Sequence, residues 1–263
     1  MSLATAHPHT AAPRSARPAA AGRALVLSLG LAAYAVFLAT FLYLIGFVGG
    51  AFVPKTLDGG LVGGVRTALA VNLGFLALFA VQHTVMARPA FKRVWTRIIP
   101  GPLERTSFVA VTCAILIAMV ICWRPVPGTL WRVEGAGALL LHAACALGWA
   151  IVLMSTFLID HFELFGVKQV VSHALGREPR PARFQERFLY RYVRHPLMLG
   201  FLIAFWATPH MTWGHLLFAG ATTAYILLAL VVEERTLVAL HGAAYEDYQR
   251  RVPKLIPSLR AGR

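Results

Sequence analysis

The sequence predicts an all-α, polytopic transmembrane helical bundle, and three observations carry that prediction. Of its 263 residues, 58% are hydrophobic and only 14% are charged, a balance too apolar for an ordinary soluble domain. The apolar residues are gathered into runs that meet or approach the roughly 20 residues needed to cross a bilayer. Arg, Lys, Gly and Pro bound those runs, and the density of basic residues alternates from one gap to the next, as it does when one membrane face is kept basic.

Residues 1–23 are rich in Ala, Pro, His and Arg and contain no acidic residue. Nothing there can build a core, so a disordered tail is expected, and His7 with His9 is a weak metal signal. Arg14, Arg17 and Arg23 ahead of an apolar run imitate a signal peptide. The run from Ala24 to Val48 exceeds the roughly 7 to 15 residues of such a peptide, however, and reads as a retained first span. The second span runs from about Val65 to Met86, the third from about Ser107 to Trp123 and the fourth from about Ala136 to Ile159. A long polar stretch follows. Two shorter runs, Leu197–Ala207 and Leu216–Val232, are joined through Pro209 to Gly214 and predict a hairpin of helices. The first of the pair is short for a crossing, which leaves six spans, or five and a re-entrant hairpin. A short C-terminal helix ends the chain, and residues 24–263 form a single integral membrane domain.

The gap after the second span holds Arg88, Lys92, Arg93, Arg97 and Arg105 against Glu104, and the gap after the fourth holds Lys168, Arg177, Arg180, Arg183, Arg187, Arg191 and Arg194. The other gaps are poorer in basic residues. Six crossings with both termini cytoplasmic satisfy this alternation in a bacterial-type inner (cell) membrane. The formal charge of +14 could suggest nucleic acid, but the cations are dispersed among loops rather than gathered on one module. The lipid bilayer, through anionic headgroups, is the better partner, and no protein partner can be inferred. Cys113, Cys122 and Cys145 lie inside apolar runs without the spacing of a metal or disulfide framework; they read as buried small hydrophobes.

The most informative segment is Tyr190-Arg-Tyr-Val-Arg-His-Pro-Leu-Met-Leu-Gly200. Proline favours the first turn of a helix and pushes the preceding residue toward extended geometry, so Pro196 marks a helix start with His195 at its mouth. Free N–H groups and the helix dipole, with Arg191 and Arg194 beside them, suit a carboxylate or phosphate. A second element lies where the last span is expected to end: Glu233-Glu234-Arg235, then Gly242 as a helix stop, then Tyr245 and Tyr248 on one face of a short helix closed by Pro253. Paired acids at a membrane boundary are costly unless paired or used. The hairpin brings them near His195, and the combined groups could hold a zwitterionic ligand.

Arg194-His195-Pro196-x-x-x-Gly200, then Glu233-Glu234-Arg235, then Gly242-x-x-Tyr245-x-x-Tyr248 with a Val-Pro soon after, together resemble the isoprenylcysteine carboxyl methyltransferase superfamily. Gln82-His83-Thr-Val-Met-Ala-Arg88-Pro89-Ala-Phe-Lys92 resembles its NnrU-like branch. Leu158-Ile-Asp-His-Phe-Glu-Leu-Phe165 and the segment from Pro196 through Trp206 to Pro209 resemble the membrane-bound methanethiol S-methyltransferases. The resemblance implies S-adenosylmethionine as methyl donor, a small thiol acceptor, dimethyl sulfide as product, and no metal. It places the cofactor-binding core at about residues 158–257. The residues it implies for the cofactor are Tyr190, Arg191, Arg194, His195, Pro196, Leu199, Gly200, Glu233, Glu234, Arg235 and Tyr245, with Lys168 and Gln169 where the polar loop begins.

The nucleophile in such a reaction is a thiolate, whereas a free thiol with a pKa of about 8.5 is mostly protonated at neutral pH. A base is therefore needed. Asp160 and His161, clustered with Glu163 at the inner end of the fourth span, are the candidates, and His83 beside Gln82 is a third. His142, His210 and His215 read as interfacial, and Phe201 and Trp206 as packing residues. Four alternatives stay open: carboxyl methylation of prenylated cysteine, amine methylation of phospholipid headgroups, an NADPH-dependent membrane reductase whose cofactor phosphates would suit Arg191 and Arg194, and a non-enzymatic NnrU-like membrane protein.

Overall fold

In lipid every backbone N–H and C=O must find a partner within the protein, which restricts spanning segments to helices or closed barrels. Among the described residues the long apolar segments take the helical solution. The computed structural model describes residues 20–60, 62–177, 186 and 188–257; the expected tail up to residue 19 and Arg180, Arg183 and Arg187 lie outside them. Five helices are long and apolar enough to cross a membrane: α1 (Ala20–Gly49), α2 (Val65–Met86), α4 (Glu104–Cys122), α5 (Gly135–Ile159) and α9 (Trp213–His241). Between and after them lie α3 (Pro89–Trp95), α6 (His161–Leu164), α7 (Val167–Ala174), α8 (Pro196–Trp206) and α10 (Ala243–Arg251). A two-stranded antiparallel ribbon pairs β1 (Thr129–Arg132) with β2 (His210–Thr212). The protein is an integral membrane helical bundle.

Two expected boundaries move. Helix α1 begins at Ala20, so residues 20–23 belong to it and not to the tail. Helix α9 continues past Val232 to His241, which places Glu233, Glu234 and Arg235 inside the helix rather than beyond its end. A helix satisfies its own backbone in water as well as in lipid, so the apolar run marks only the membrane-embedded part of α9. Gly242 stops it with φ +55°, a conformation that favours glycine.

The segment expected as the fifth of six crossings is part helix and part extended chain. Helix α8 has 11 residues, about 16 Å of helix against a hydrocarbon core of about 30 Å. Its first neighbour, His195, reaches Glu234 on α9, while Thr212 adjoins Trp213 at the other end of that helix. Roughly 31 Å of helix separates Trp213 from Glu234. The stretch from His195 to Thr212 therefore covers the same height, half as helix and half as extended chain. That extended chain is tolerated because β1 supplies its hydrogen-bond partners, reinforced by Val133 N donating to Pro209 O at 2.8 Å and Trp131 Nε1 to Thr208 O at 3.1 Å.

The core near the β end gathers Phe47, Met119, Trp123, Trp149, Phe205 and Phe218. Outward positions such as Leu42, Leu139, Leu140 and Leu228 are at least 65% exposed and face lipid. Asn72, fully buried, donates to Arg124 O and accepts from Arg124 N, tying α2 to the frayed end of α4. The three cysteines are free; Cys113 is buried, whereas Cys122 is exposed and Cys145 half-buried, so only the first matches the expectation of burial.

Helices α5 and α8 touch backbone to backbone. A Cβ on Gly200 would stand 2.7 Å from Gly148 O and 2.9 Å from Val152 N, and one on Gly148 would stand 2.6 Å from Ala204 N. Small residues allow this approach, the usual device for packing helices in lipid, where apolar side chains gain little from one another. The contacts set an antiparallel register, Gly148 against Ala204 and Val152 against Gly200. One turn further on, the same register sets Thr156 level with Pro196. Gly30 does a similar job for α1, where Val170 of α7 fills the space its side chain would occupy.

Gly200→Ala should lower stability by about 1–3 kcal/mol, the usual cost of overpacking a well-filled contact. Gly220→Ala on α9, where nothing lies within 4 Å, should leave the melting temperature in detergent unchanged or slightly raised. Thermal unfolding of both purified variants checks the contrast.

Candidate functional site

Pro196 starts α8 as expected, and His195 caps it with φ −127° and ψ 63°. The backbone link that holds this mouth comes from residues 253–254: Arg194 N donates to Pro253 O at 2.9 Å and His195 N to Lys254 O at 3.2 Å. Residues 253–254 are delivered there by α10, whose Tyr245 and Tyr248 are buried and pack edge to face at 5.7 Å. The Tyr248 hydroxyl donates to Tyr190 O at 2.6 Å. The three sequence motifs, distant along the chain, thus form one structure.

At its centre is Glu234, only 7% exposed. Arg194 grips its Oε1 through Nε at 2.8 Å and Nη2 at 2.7 Å. His195 Nε2 lies 3.1 Å from the same oxygen, and Lys254 Nζ lies 2.9 Å from Oε2. The remaining Arg194 nitrogen, Nη1, donates to Gln249 O at 2.9 Å and to Val252 O. Every donor on that side of the guanidinium has a protein acceptor, so Arg194 works here as a clamp on Glu234 and the α10 end. Lys254 was not among the residues the sequence suggested; its position directly after Val-Pro in the third motif is the signal that could have found it.

The neighbouring groups have more freedom. Glu233 is exposed, with Oε2 4.0 Å from His195 Nδ1. Arg191 is exposed and donates to the backbone O of Glu186. A cavity of about 410 Å³ opens beside the clamp, lined by Val231, Glu234, Arg235, Val238, Gln249 and Lys254. Burial, with Glu234 nearby, raises the Tyr245 phenol to about 12; burial likewise raises Tyr190 and Tyr248. These hydroxyls stay protonated at neutral pH and serve as donors and apolar walls.

A second cluster sits at the end of α5. His161 is buried and held from both ring nitrogens: Nδ1 lies 2.8 Å from Thr156 Oγ1 and Nε2 lies 2.8 Å from Tyr34 Oη on α1. Phe157 stacks flat on the imidazole at 4.3 Å, and Phe165 and Phe162 meet its edges. Burial lowers the pKa of His161, partly offset by the Asp160 carboxylate. Asp160 itself caps α6 by accepting from Glu163 N at 3.2 Å and pairs with Lys168. Gln169 donates to Glu163 O at 3.1 Å. These four residues shape the α5–α7 corner. Tyr34 and Thr156 were missed by the sequence reading, since a lone tyrosine or threonine inside an apolar run carries no spacing signal.

His83 stacks on Phe79 at 5.2 Å and packs against Phe108 at 4.9 Å, and its buried Nδ1 has no hydrogen-bond partner among the described residues. Gln82 beside it contacts Met86 and Thr112. This pair lies among α2, α4 and α9, apart from the contacts that bind the other clusters. The clamp and the His161 cluster, by contrast, share a level, because the α5–α8 register sets Thr156 opposite Pro196. Among the described residues no group of three or more His, Cys, Asp or Glu could hold a metal ion. A second cavity, of about 370 Å³ and wholly apolar in its lining, opens at the other end of the bundle between the starts of α2 and α9.

The profile of the NnrU protein family matches residues 72–257, which includes both clusters except Tyr34. The chain is 50% identical to methanethiol S-methyltransferase 2 of Bradyrhizobium diazoefficiens, over 92% of this chain and 93% of that one. It is also 50% identical to the methanethiol S-methyltransferase of Mycobacterium tuberculosis, over 89% of this chain and 97% of that one. Human nurim is 30% identical over 66% of this chain and 69% of its own. No solved structure matches.

Breaking a buried ion pair from one side leaves the other charge unpaired and costs about 3–5 kcal/mol. Arg194→Gln should show that loss, together with faster proteolysis of the chain after Gly242. Lys254→Met, in which a more exposed partner is removed, should cost less than about 1 kcal/mol. Detergent-phase melting and limited proteolysis of the two variants read the difference.

Proposed function

This chain belongs to the NnrU protein family, and from that premise we propose that it is an inner-membrane methyltransferase that uses S-adenosylmethionine to methylate a small thiol. Methanethiol is the acceptor and dimethyl sulfide the product, and both termini face the cytoplasm. The observation that carries this reading is the juxtaposition across α5 and α8: a neutral, buried histidine cluster on one helix end, level with a charged cavity at the mouth of the other. The choice of acceptor is supported by half-identical relatives that are named for methanethiol.

The groups around the clamp fit the donor. Its amino-acid end carries both charges, and Glu233 faces it with an exposed carboxylate while Arg235 and Lys254 line the cavity with cations. We assign Arg191, Glu233, Arg235 and Lys254 to direct contact, and Tyr190, Pro196, Leu199, Gly200 and Tyr245 to the walls. Arg194, His195 and Glu234 hold those elements together. S-adenosylmethionine, when bound, supplies an electrophilic methyl group on a sulfonium. The chain's own contributions are orientation, exclusion of water and removal of the thiol proton. His161 is assigned the last role ahead of Asp160, whose oxygens are engaged by Glu163 N and Lys168, and ahead of His83, which lies in a separate cluster. The exposed faces of Phe157 and Phe162 give an apolar thiol access from the lipid.

The direct test is headspace analysis of membranes supplied with methanethiol and S-adenosylmethionine. Dimethyl sulfide should accumulate; its absence would remove the reading. Glu233→Gln should weaken S-adenosylmethionine binding by about tenfold to a hundredfold, the 1.5–3 kcal/mol of a charge-assisted hydrogen bond, measured by calorimetry. The pH profile has a defined sign. Burial lowers the His161 pKa, so the ring is neutral and basic at pH 7 and protonates only in more acid solution. Turnover should therefore hold steady from pH 8 down to about 6.5, the ordinary histidine value, and fall below it.

A further inference from the structure

The histidine that fits the role of base has no open nitrogen. Thr156 has a single hydroxyl proton, which it donates to Leu153 O at 2.7 Å. Its oxygen, 2.8 Å from His161 Nδ1, must therefore accept from that nitrogen. This fixes the tautomer: the proton is on Nδ1 and the lone pair on Nε2. Nε2 in turn faces the Tyr34 hydroxyl at 2.8 Å, which is the donor in that bond. His161 is only 4% exposed, with Phe157 over one ring face at 4.3 Å and Phe165 and Phe162 against the edges. A thiol cannot touch Nε2 without expelling Tyr34. It can touch the Tyr34 oxygen, which retains acceptor capacity after donating its proton, and Tyr34 is not fully buried.

We propose that Tyr34 is the catalytic residue that meets the thiol, relaying its proton to His161, with Thr156 as the positioning residue that sets the tautomer. This rests on the thiol-methylation reading above. The S–H bond breaks and its electron pair stays on sulfur as thiolate, while the proton forms a new O–H bond to Tyr34. The original Tyr34 O–H bond breaks and that proton forms an N–H bond at His161 Nε2. The tyrosine ends neutral and the histidine ends as imidazolium, with the neighbouring Asp160 carboxylate to balance its charge. After turnover the Nε2 proton leaves by the same hydroxyl in reverse. The arrangement explains why a buried histidine is paired to α1, a helix that contributes nothing to the donor cavity. It also gives α1 a chemical role beyond anchoring.

The test uses the full-length protein in detergent and compares wild type, Tyr34→Phe and Thr156→Val. Tyr34→Phe should lower kcat for methanethiol by about a hundredfold to ten-thousandfold, the range of a general base, with S-adenosylmethionine affinity unchanged. The defect should shrink to less than tenfold with an aromatic thiol that is already ionised at neutral pH, because no proton then needs removing. A readout independent of turnover is the methyl-carbon chemical shift of isotope-labelled methanethiol bound without donor: thiolate in wild type, thiol in Tyr34→Phe. Thr156→Val, which frees the tautomer, should lie between the two. Equal losses with ordinary and acidic thiols, or a thiolate shift retained in Tyr34→Phe, would overturn the relay while leaving the methyltransferase reading intact. Failure of the wild type to methylate any thiol, acidic or not, would overturn that reading, and the relay with it.

Discussion

The close approach of α5 and α8 is the constraint on which the rest of the molecule depends. Between helices in lipid the hydrophobic effect offers little, and contact area between backbones has to do the work. Gly148 and Gly200 allow that contact and, in doing so, fix the register of two antiparallel helices. Because α5 carries His161 just past its end and α8 carries His195 just before its start, the register decides whether two chemically distinct clusters stand at the same height. A shift by one turn would move them about 5 Å apart in height. Helix α8 sets its glycine-bearing turn against α5, and the chain beyond Trp206 continues as β2 paired with β1.

The two clusters are built on opposite electrostatic plans. Around Glu234 three cationic or donor side chains converge on one buried carboxylate, which makes a rigid clasp joining α8, α9 and the chain after α10. Buried ion pairs of this kind offset their own desolvation only when every partner is present, and here every partner is. Among the described residues, those within hydrogen-bond reach of His161 are hydroxyls, and aromatic rings surround it. Such an environment keeps the imidazole neutral and therefore able to accept a proton. One end of the proposed site fixes a charged ligand; the other creates charge only on demand.

Much of this was legible in the sequence. Apolar runs gave the spans, because hydropathy reports directly on a solvent that forbids unsatisfied backbone. Pro196, Gly242 and Pro253 punctuated the right places, because their backbone restrictions are local. The motifs at 190–200, 233–235 and 242–253 converge as expected. What escaped notice depended on tertiary contact. Helix α9 ran past Val232 because helix propensity outlasts hydrophobicity, and that put Glu234 on a helix face instead of in a loop. Tyr34 and Thr156 are ordinary residues in apolar runs until α1 and α5 are placed beside His161. Arg194 read as a free cation for a ligand; in the fold its acceptors are Glu234 and the carbonyls of Gln249 and Val252.

That the two clusters serve one reaction is the central claim, and photolabelling on a single preparation tests it most directly. A diazirine-bearing alkanethiol and ultraviolet-activated S-adenosylmethionine, mapped by mass spectrometry, should mark Tyr34 and residues 156–165 with the thiol and residues 190–200 and 233–254 with the donor. Thiol label confined to the apolar cavity near Trp213, at the opposite end of the bundle, would contradict the account.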